Sequence, residues 1–172
     1  MALWDTFRSL QTLTPSSFSS VTVMCHGTCL EFVHRSLAAE CTAGRHVLEV
    51  GSLDVNGSPR SIVEDQGPAS YLGIDIVDGP GVDRICPAEE IVEQFGAESF
   101  DVIISTEMME HVDDWRLILS NMKRALAPNG LLIVTTILRL PSSRPSRRLL
   151  AIRAFGHAHP LRRLPDRTTR RR

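Results

Sequence analysis

The chain places an acid and a glycine, Glu49 and Gly51, at the end of the apolar run 47–50, and a second acid, Asp75, near the end of the run 71–76. An apolar run that closes on an acid and a glycine before a polar loop is the pattern of a buried parallel strand feeding a ligand-binding turn. Asp75 follows Gly51 by 24 residues, the separation expected of a carboxylate on the next strand end that accepts hydrogen bonds from ribose hydroxyls. The chemistry implied is the holding of a ligand that contains a nucleoside.

These residues need a scaffold, and the periodicities around them supply one. Residues 29–40 put Leu30, Val33, Leu37 and Ala38 on one helical face, with Glu31, Arg35 and Glu40 off it. Residues 47–50 and 71–76 read as the first two strands, with a short helix at 59–66 between them. Asp78-Gly79-Pro80-Gly81 is turn chemistry. A short third strand is expected at 82–86, a helix at 88–95 and a fourth strand at 100–105. Trp115, Ile118, Leu119, Met122 and Leu126 recur at helical spacing until Pro128-Asn129-Gly130 stops them, and 131–138 is a fifth strand. Strands alternating with helices predict an α/β domain whose parallel sheet is covered on both faces.

Composition narrows the class. A chain of 172 residues with 42% hydrophobic and 23% charged residues fits one soluble globular domain. No apolar run approaches the roughly 20 residues of a membrane span. Residues 1–23 have no basic start followed by an apolar stretch, so no secretory signal is expected; they read as a poorly ordered extension, with Met24 as an alternative start. Cys25, Cys29, Cys41 and Cys86, in an α/β pattern without an export signal, are expected as reduced thiols in a cytoplasmic protein. Cys25, His26, Cys29 and His34 invite a zinc reading, but no second close pair completes a tetrahedral set, and no metal is expected.

Four landmarks occur in order between about residues 24 and 138: VLEVGS, YLGIDI, FDVIISTEMMEHV and LAPNGLLIVTT. Together they resemble the class I S-adenosylmethionine-dependent methyltransferases, and within them the bacterial type 11 methyltransferase domains. The resemblance implies a Rossmann-like, mostly parallel sheet of about five strands with helices on both faces. It further implies S-adenosyl-L-methionine as cofactor and methyl transfer to a small-molecule acceptor. Glu49, Gly51, Ser52, Asp54 and Asn56 would surround the methionine part of that cofactor, and Asp75 its ribose. Ile76 and the amide of Ala88 would lie at the adenine, and Ser105 and Thr106 at the switch point of the sheet. Glu107 would face the sulfonium or the acceptor, and His111 would act as a general base; the competing reading is that Glu110 and His111 brace their loop and cap the next helix. Two departures stand out. Leu53 and Val55 occupy positions where the family usually has glycine, and Pro87 replaces an acid near the adenine, which Glu89 would have to make good. Two other classes compete: a domain that holds the cofactor without turnover, and a nicotinamide-dependent oxidoreductase, against which the missing Gly-x-Gly-x-x-Gly spacing argues.

The net charge of −1 hides a split: residues 1–138 carry 8 basic and 19 acidic groups, whereas 139–172 carry 11 arginines and one acid, Asp166. Members of the resembling family have two further strands after the fifth, one of them antiparallel and inserted beside it. Here they are expected to be missing or degenerate, with residues 147–155 at most a short helix in a disordered tail. An arginine-rich arm for nucleic acid lacks interleaved aromatic residues and is disfavoured. The favoured explanation is a shifted reading frame after about residue 138. Residues 131–138 would then be an exposed apolar edge prone to self-association.

Overall fold

The computed structural model describes residues 26–38, 42–55, 57–139 and 147–155. Its elements are helix α1 (His26–Ala38), strand β1 (His46–Val50), helix α2 (Arg60–Glu64), strand β2 (Ser70–Asp75), strand β3 (Arg84–Ile85), helix α3 (Ile91–Phe95), strand β4 (Phe100–Thr106), helix α4 (Trp115–Ala125), strand β5 (Leu126–Arg139) and strand β6 (Arg147–Phe155). Short 3-10 turns occupy Ala88–Glu90 and Met109–His111. The sheet order is β3-β2-β1-β4-β5-β6, with β1 to β5 parallel and β6 antiparallel to β5. The α/β reading and the five parallel strands of the sequence analysis are present.

Side chains alternate across these strands, and each face has its own core. On one face Val47, Val102, Ile104, Leu131 and Ile133 pack against Val33 and Leu37 of α1 and Val63 of α2. On the other, Leu48, Val50, Ile74, Ile103, Leu132 and Val134 meet Ile91 of α3 and Ile118, Met122 and Ala125 of α4. Burial on both faces explains why β1, β4 and β5 read as continuous apolar runs rather than as alternating ones. Helix α1 shows the helical counterpart: Cys29, Val33, Ser36 and Leu37 are buried, while exposed Glu31 and Arg35, one turn apart, form an ion pair of 3.2 Å.

Helix α4 is capped by Asp114, whose side chain accepts from the amides of Arg116 and Leu117 at 3.1 Å. That corrects the expectation that Glu110 and His111 cap it. Strand β5 follows α4 directly and carries the left-handed Asn129 (φ 63°) between its pairings Leu126↔Phe100 and Leu131↔Val102, where the register with β4 shifts.

A larger correction concerns the basic segment. Residues 147–155, expected to be helical at most, form β6, which pairs with β5 from Leu131↔Phe155 to Arg139↔Arg147. The antiparallel neighbour that the resemblance places beside the fifth strand is therefore present, and residues 131–138 are not an open edge. Its sequence hid it because every residue of an edge strand need not alternate in polarity; the ladder with β5 satisfies its backbone whatever the side chains are. Residues 1–25 lie outside the described residues. Among the described residues no helix is long and apolar enough to cross a membrane.

Shortening the chain to residues 1–139 removes β6 and opens the β5 edge. The shortened chain is expected to self-associate more than the full chain, as measured by light scattering over a concentration series; equal behaviour would show that β6 does not protect that edge.

Candidate active site

The site begins where β1 ends. Gly51 has φ 78°, and a Cβ there would sit 2.7 and 2.8 Å from the Met108 side chain, so glycine is required by backbone and space together. The amides of Gly51 and Ser52 both donate to the Ile74 carbonyl, at 2.9 and 3.0 Å. The Leu53 amide then donates to Asp75 Oδ2 at 3.2 Å, and the Asp54 amide to the Pro80 carbonyl at 2.8 Å. The loop after β1 is thereby stitched to the end of β2 and to the turn that follows it.

A cavity of about 690 Å3 opens beyond the carboxyl ends of β1, β2 and β4, at the point where chain connections leave β1 in opposite directions. Its volume lies within the roughly 300–1,000 Å3 of small-molecule sites. Of the residues singled out in the sequence, Glu49, Gly51, Asp75, Ile76, Ala88, Thr106, Glu107 and His111 line it. Ser52 and Ser105 do not; both hydroxyls are buried away from it. Asp54 is turned to accept from the Gly57 amide at 2.5 Å, and Asn56 lies outside the described residues. Cys29 is buried on the cavity wall with its sulfur 3.0 Å from the Thr135 hydroxyl, and His34 is exposed on α1; Cys25 lies outside the described residues.

Electrostatics sets the cavity's preference. Glu49, Asp75, Glu89, Glu107, Glu110 and Asp113 line it, with no lysine or arginine among the described residues. Six carboxylates converging on one concavity favour a cationic ligand. Glu107 holds a left-handed backbone (φ 54°), with its amide donating to the Thr135 carbonyl at 3.0 Å; such a conformation in a non-glycine residue is concentrated at functional sites. Glu110 Oε2 accepts from the Thr136 hydroxyl at 2.8 Å, so the Met109–His111 turn is braced against β5 while His111 stays exposed at the rim. Burial pushes the Cys86 thiol up, which keeps it in the neutral form on the cavity wall.

Several contributors were not legible in the sequence. Tyr71 donates its hydroxyl to Glu49 Oε2 at 2.5 Å, and the Ser58 hydroxyl lies 3.1 and 3.3 Å from the two Glu49 oxygens. Arg60 stacks over the Tyr71 ring at 4.4 Å while pairing with Asp83. Buried Asn121 on α4 donates to the Glu89 carbonyl at 2.6 Å and fixes that wall. Only the parallel register, which puts Tyr71 opposite Val47 and on the same face as Glu49, brings the first pair together. Burial pushes the Glu49 carboxyl from 4.5 up to about 7, against the opposing pull of the Tyr71 and Ser58 hydrogen bonds and the Arg60 charge.

A mostly parallel sheet in this order, with an acid-bearing cavity across the switch point, defines the Rossmann-like nucleoside-binding class. The comparisons carry this to a family: the chain belongs to the methyltransferase-domain family, which matches residues 26–170. It is 35% identical over 113 residues to the human mitochondrial ubiquinone biosynthesis O-methyltransferase, covering 55% of this chain and 30% of that one. Against the ubiquinone biosynthesis O-methyltransferase of Pseudomonas entomophila it is 34% identical over 137 residues, covering 72% and 55%. The chain thus spans between 30% and 55% of the length of these curated relatives. In fold it is similar to an S-adenosylmethionine-dependent methyltransferase from Mesorhizobium loti, with a TM-score of 0.52 at 16% identity over 72% of this chain and 64% of that one. The YcgJ protein of Bacillus subtilis gives 0.54 at 20% identity over 66% and 52%.

The raised Glu49 group has a consequence for stability. Between pH 4.5 and about 7 the native state keeps a proton that the unfolded chain has released. The stabilisation from this group is complete below pH 4.5 and is lost as pH rises through 7, approaching roughly 3 kcal/mol. Glu49→Gln has no such proton. Urea denaturation at pH 5 and pH 8 is expected to show a smaller fall in stability for the variant than for the natural chain; equal falls would place the titration elsewhere.

Proposed function

We propose that this domain binds S-adenosylmethionine and directs its methyl group to a small-molecule acceptor. The observation that carries the reading is the acid-lined cavity built on Gly51 and Asp75 at the sheet's switch point. The residues present suit the group: it carries positive charge, a ribose and a methionine part, and the cavity offers carboxylates, a strand-end aspartate and a glycine turn.

In this reading Asp75 accepts from the ribose hydroxyls while its tie to the Leu53 amide holds the carboxylate in place. Ile76, 69% exposed and on the cavity wall, offers an apolar surface to the adenine beside the Ala88 backbone. Gly51, Thr106 and Glu49 border the methionine part. When bound, the sulfonium supplies an activated methyl group to a nucleophile aligned with it. Glu107, in its left-handed turn, and His111, at the rim, face the acceptor side, where His111 removes a proton from the acceptor as it reacts. An oxygen nucleophile is favoured because the relatives above are named O-methyltransferases. We also assign the domain to the cytosol, in keeping with Cys29 and Cys86 forming no disulfide among the described residues.

Asp75→Asn keeps an acceptor for the Leu53 amide but loses the charge that strengthens the ribose hydrogen bonds. Calorimetry with S-adenosylhomocysteine is expected to show binding about 10- to 100-fold weaker, with folding retained. Undiminished binding would remove Asp75 from the ligand. His111→Ala is expected to leave that affinity unchanged and to lower kcat for methyl transfer to a phenolic acceptor by roughly 100-fold or more. An unchanged kcat would leave His111 with no role as a base.

A further inference from the structure

Glu49 is only 2% exposed, yet it borders a cavity lined by five other carboxylates. Hydroxyls from two separate elements, Tyr71 on β2 and Ser58 in the loop before α2, reach its oxygens. Tyr71 is in turn held by the Arg60 guanidinium over its ring, and Arg60 by Asp83, by the Gly81 carbonyl at 2.9 Å and by Glu64. The carboxyl therefore has a fixed orientation, supported from the α2 side through three successive contacts. Two donors aimed at one buried carboxyl suit its ionised form, whereas burial suits its neutral form. A positive charge arriving in the cavity would decide between them.

We propose that Tyr71 and Ser58 are positioning residues that present the Glu49 carboxyl to the cationic part of the ligand, so that binding exchanges a carboxyl proton for the ligand's charge. This rests on the donor reading above and adds to it the residues that orient the acid and the proton that leaves. In the exchange the Glu49 O–H bond breaks, its proton passes to solvent, and the carboxylate left behind holds the cation through charge and keeps the Tyr71 hydrogen bond. The groups facing Glu49 fit this assignment. Arg60 favours the anion and Asp54 opposes it. Its strand neighbours in register, Gly73 and Ile104, do not titrate, and the Cys29 side chain contributed by α1 to the same cavity is bonded to Thr135.

Tyr71 is the chain's single tyrosine, which gives the test a direct reporter. The protein is labelled with 13C at the tyrosine ζ carbon, and the one resonance is followed from pH 5 to 9 in the natural chain, in Glu49→Gln and in Ser58→Ala, with and without saturating S-adenosylmethionine. The free natural chain is expected to show one step centred near pH 7. Glu49→Gln should lack it, and Ser58→Ala should move it up by about half a pH unit or more, since the ionised form has lost a donor. Saturating S-adenosylmethionine should move the step down by at least about one unit, equivalent to affinity rising roughly tenfold per pH unit below the step of the free chain. A flat resonance in the natural chain, or the same step in Glu49→Gln, overturns the coupling. A step that persists unmoved while calorimetry registers S-adenosylmethionine binding overturns the exchange but leaves the donor reading standing. No heat of binding at any pH overturns the donor reading, and the exchange with it. A merely structural Ser58 would change stability without moving the step, so an unmoved step in a folded Ser58→Ala removes it from the assignment.

Discussion

The left-handed turn at Gly51 is the constraint from which the cavity follows. A strand that continued past Val50 in extended geometry would carry its amides along the β1–β2 ladder; the turn instead directs two successive amides, Gly51 and Ser52, at the single carbonyl of Ile74. The next amide, Leu53, is left to the Asp75 side chain. A backbone donor at a strand end needs a partner, and here that need fixes a carboxylate at the mouth of the site. Asp75 keeps acceptor capacity beyond that one amide, because a carboxylate can accept several hydrogen bonds. The same turn brings Met108 within contact of the Gly51 backbone, so the loop after β4 closes over the loop after β1. Only then do the acids of the β4 loop and those of β1 and β2 face one another.

Six carboxylates in one concavity are a destabilising arrangement unless something positive enters or some of them stay protonated. Most of them keep contact with water: Glu89, Glu110 and Asp113 are exposed and Asp75 is partly so. Glu49 alone is fully enclosed, and it is the one whose carboxyl burial raises to about 7. The molecule thus meets its own charge density at the least hydrated position. Burial of an ionisable group at such a position costs stability whenever the group is charged.

The sequence carried the parallel core legibly because burial on both faces leaves a simple signature, a short apolar run between turn residues. Gly51 and Asp75 were legible for a related reason: each is a residue type that a specific backbone or ligand geometry demands at a strand end. What escaped was non-local. Strand β6 is defined by its ladder with β5 rather than by polarity of its own, and its arginine-rich text resembles a solvated tail. Tyr71 read as one more apolar strand residue; its hydroxyl acquires meaning only once the β1–β2 register sets it beside Glu49. Asp114 is masked as the α4 cap by the conspicuous Glu110-His111 pair just before it, yet that pair ends a 3-10 turn and Glu110 is occupied with Thr136.

The two glycines that the β1 loop lacks, replaced by Leu53 and Val55, are accounted for across the gap. The turn after β2 carries Gly79 and Gly81. A Cβ on Gly79 would lie 2.4 Å from Leu53 Cδ1, and one on Gly81 2.4 Å from the Ser52 carbonyl oxygen, with Gly81 itself left-handed at φ 84°. Gly73 adds to this: a Cβ there would meet the Gly81 carbonyl at 2.4 Å and the Ser52 hydroxyl at 2.7 Å. Close approach of two backbone segments needs small residues at the contact, but it does not dictate which segment supplies them. Here the facing turn does, so Leu53 packs over Gly79 and Val55 turns outward, 73% exposed at the cavity wall. The substitution that weakens the glycine motif in the sequence therefore leaves the close packing of the loop intact. Its effect falls on the cavity instead, where Leu53 and Val55 present apolar surface that glycine could not.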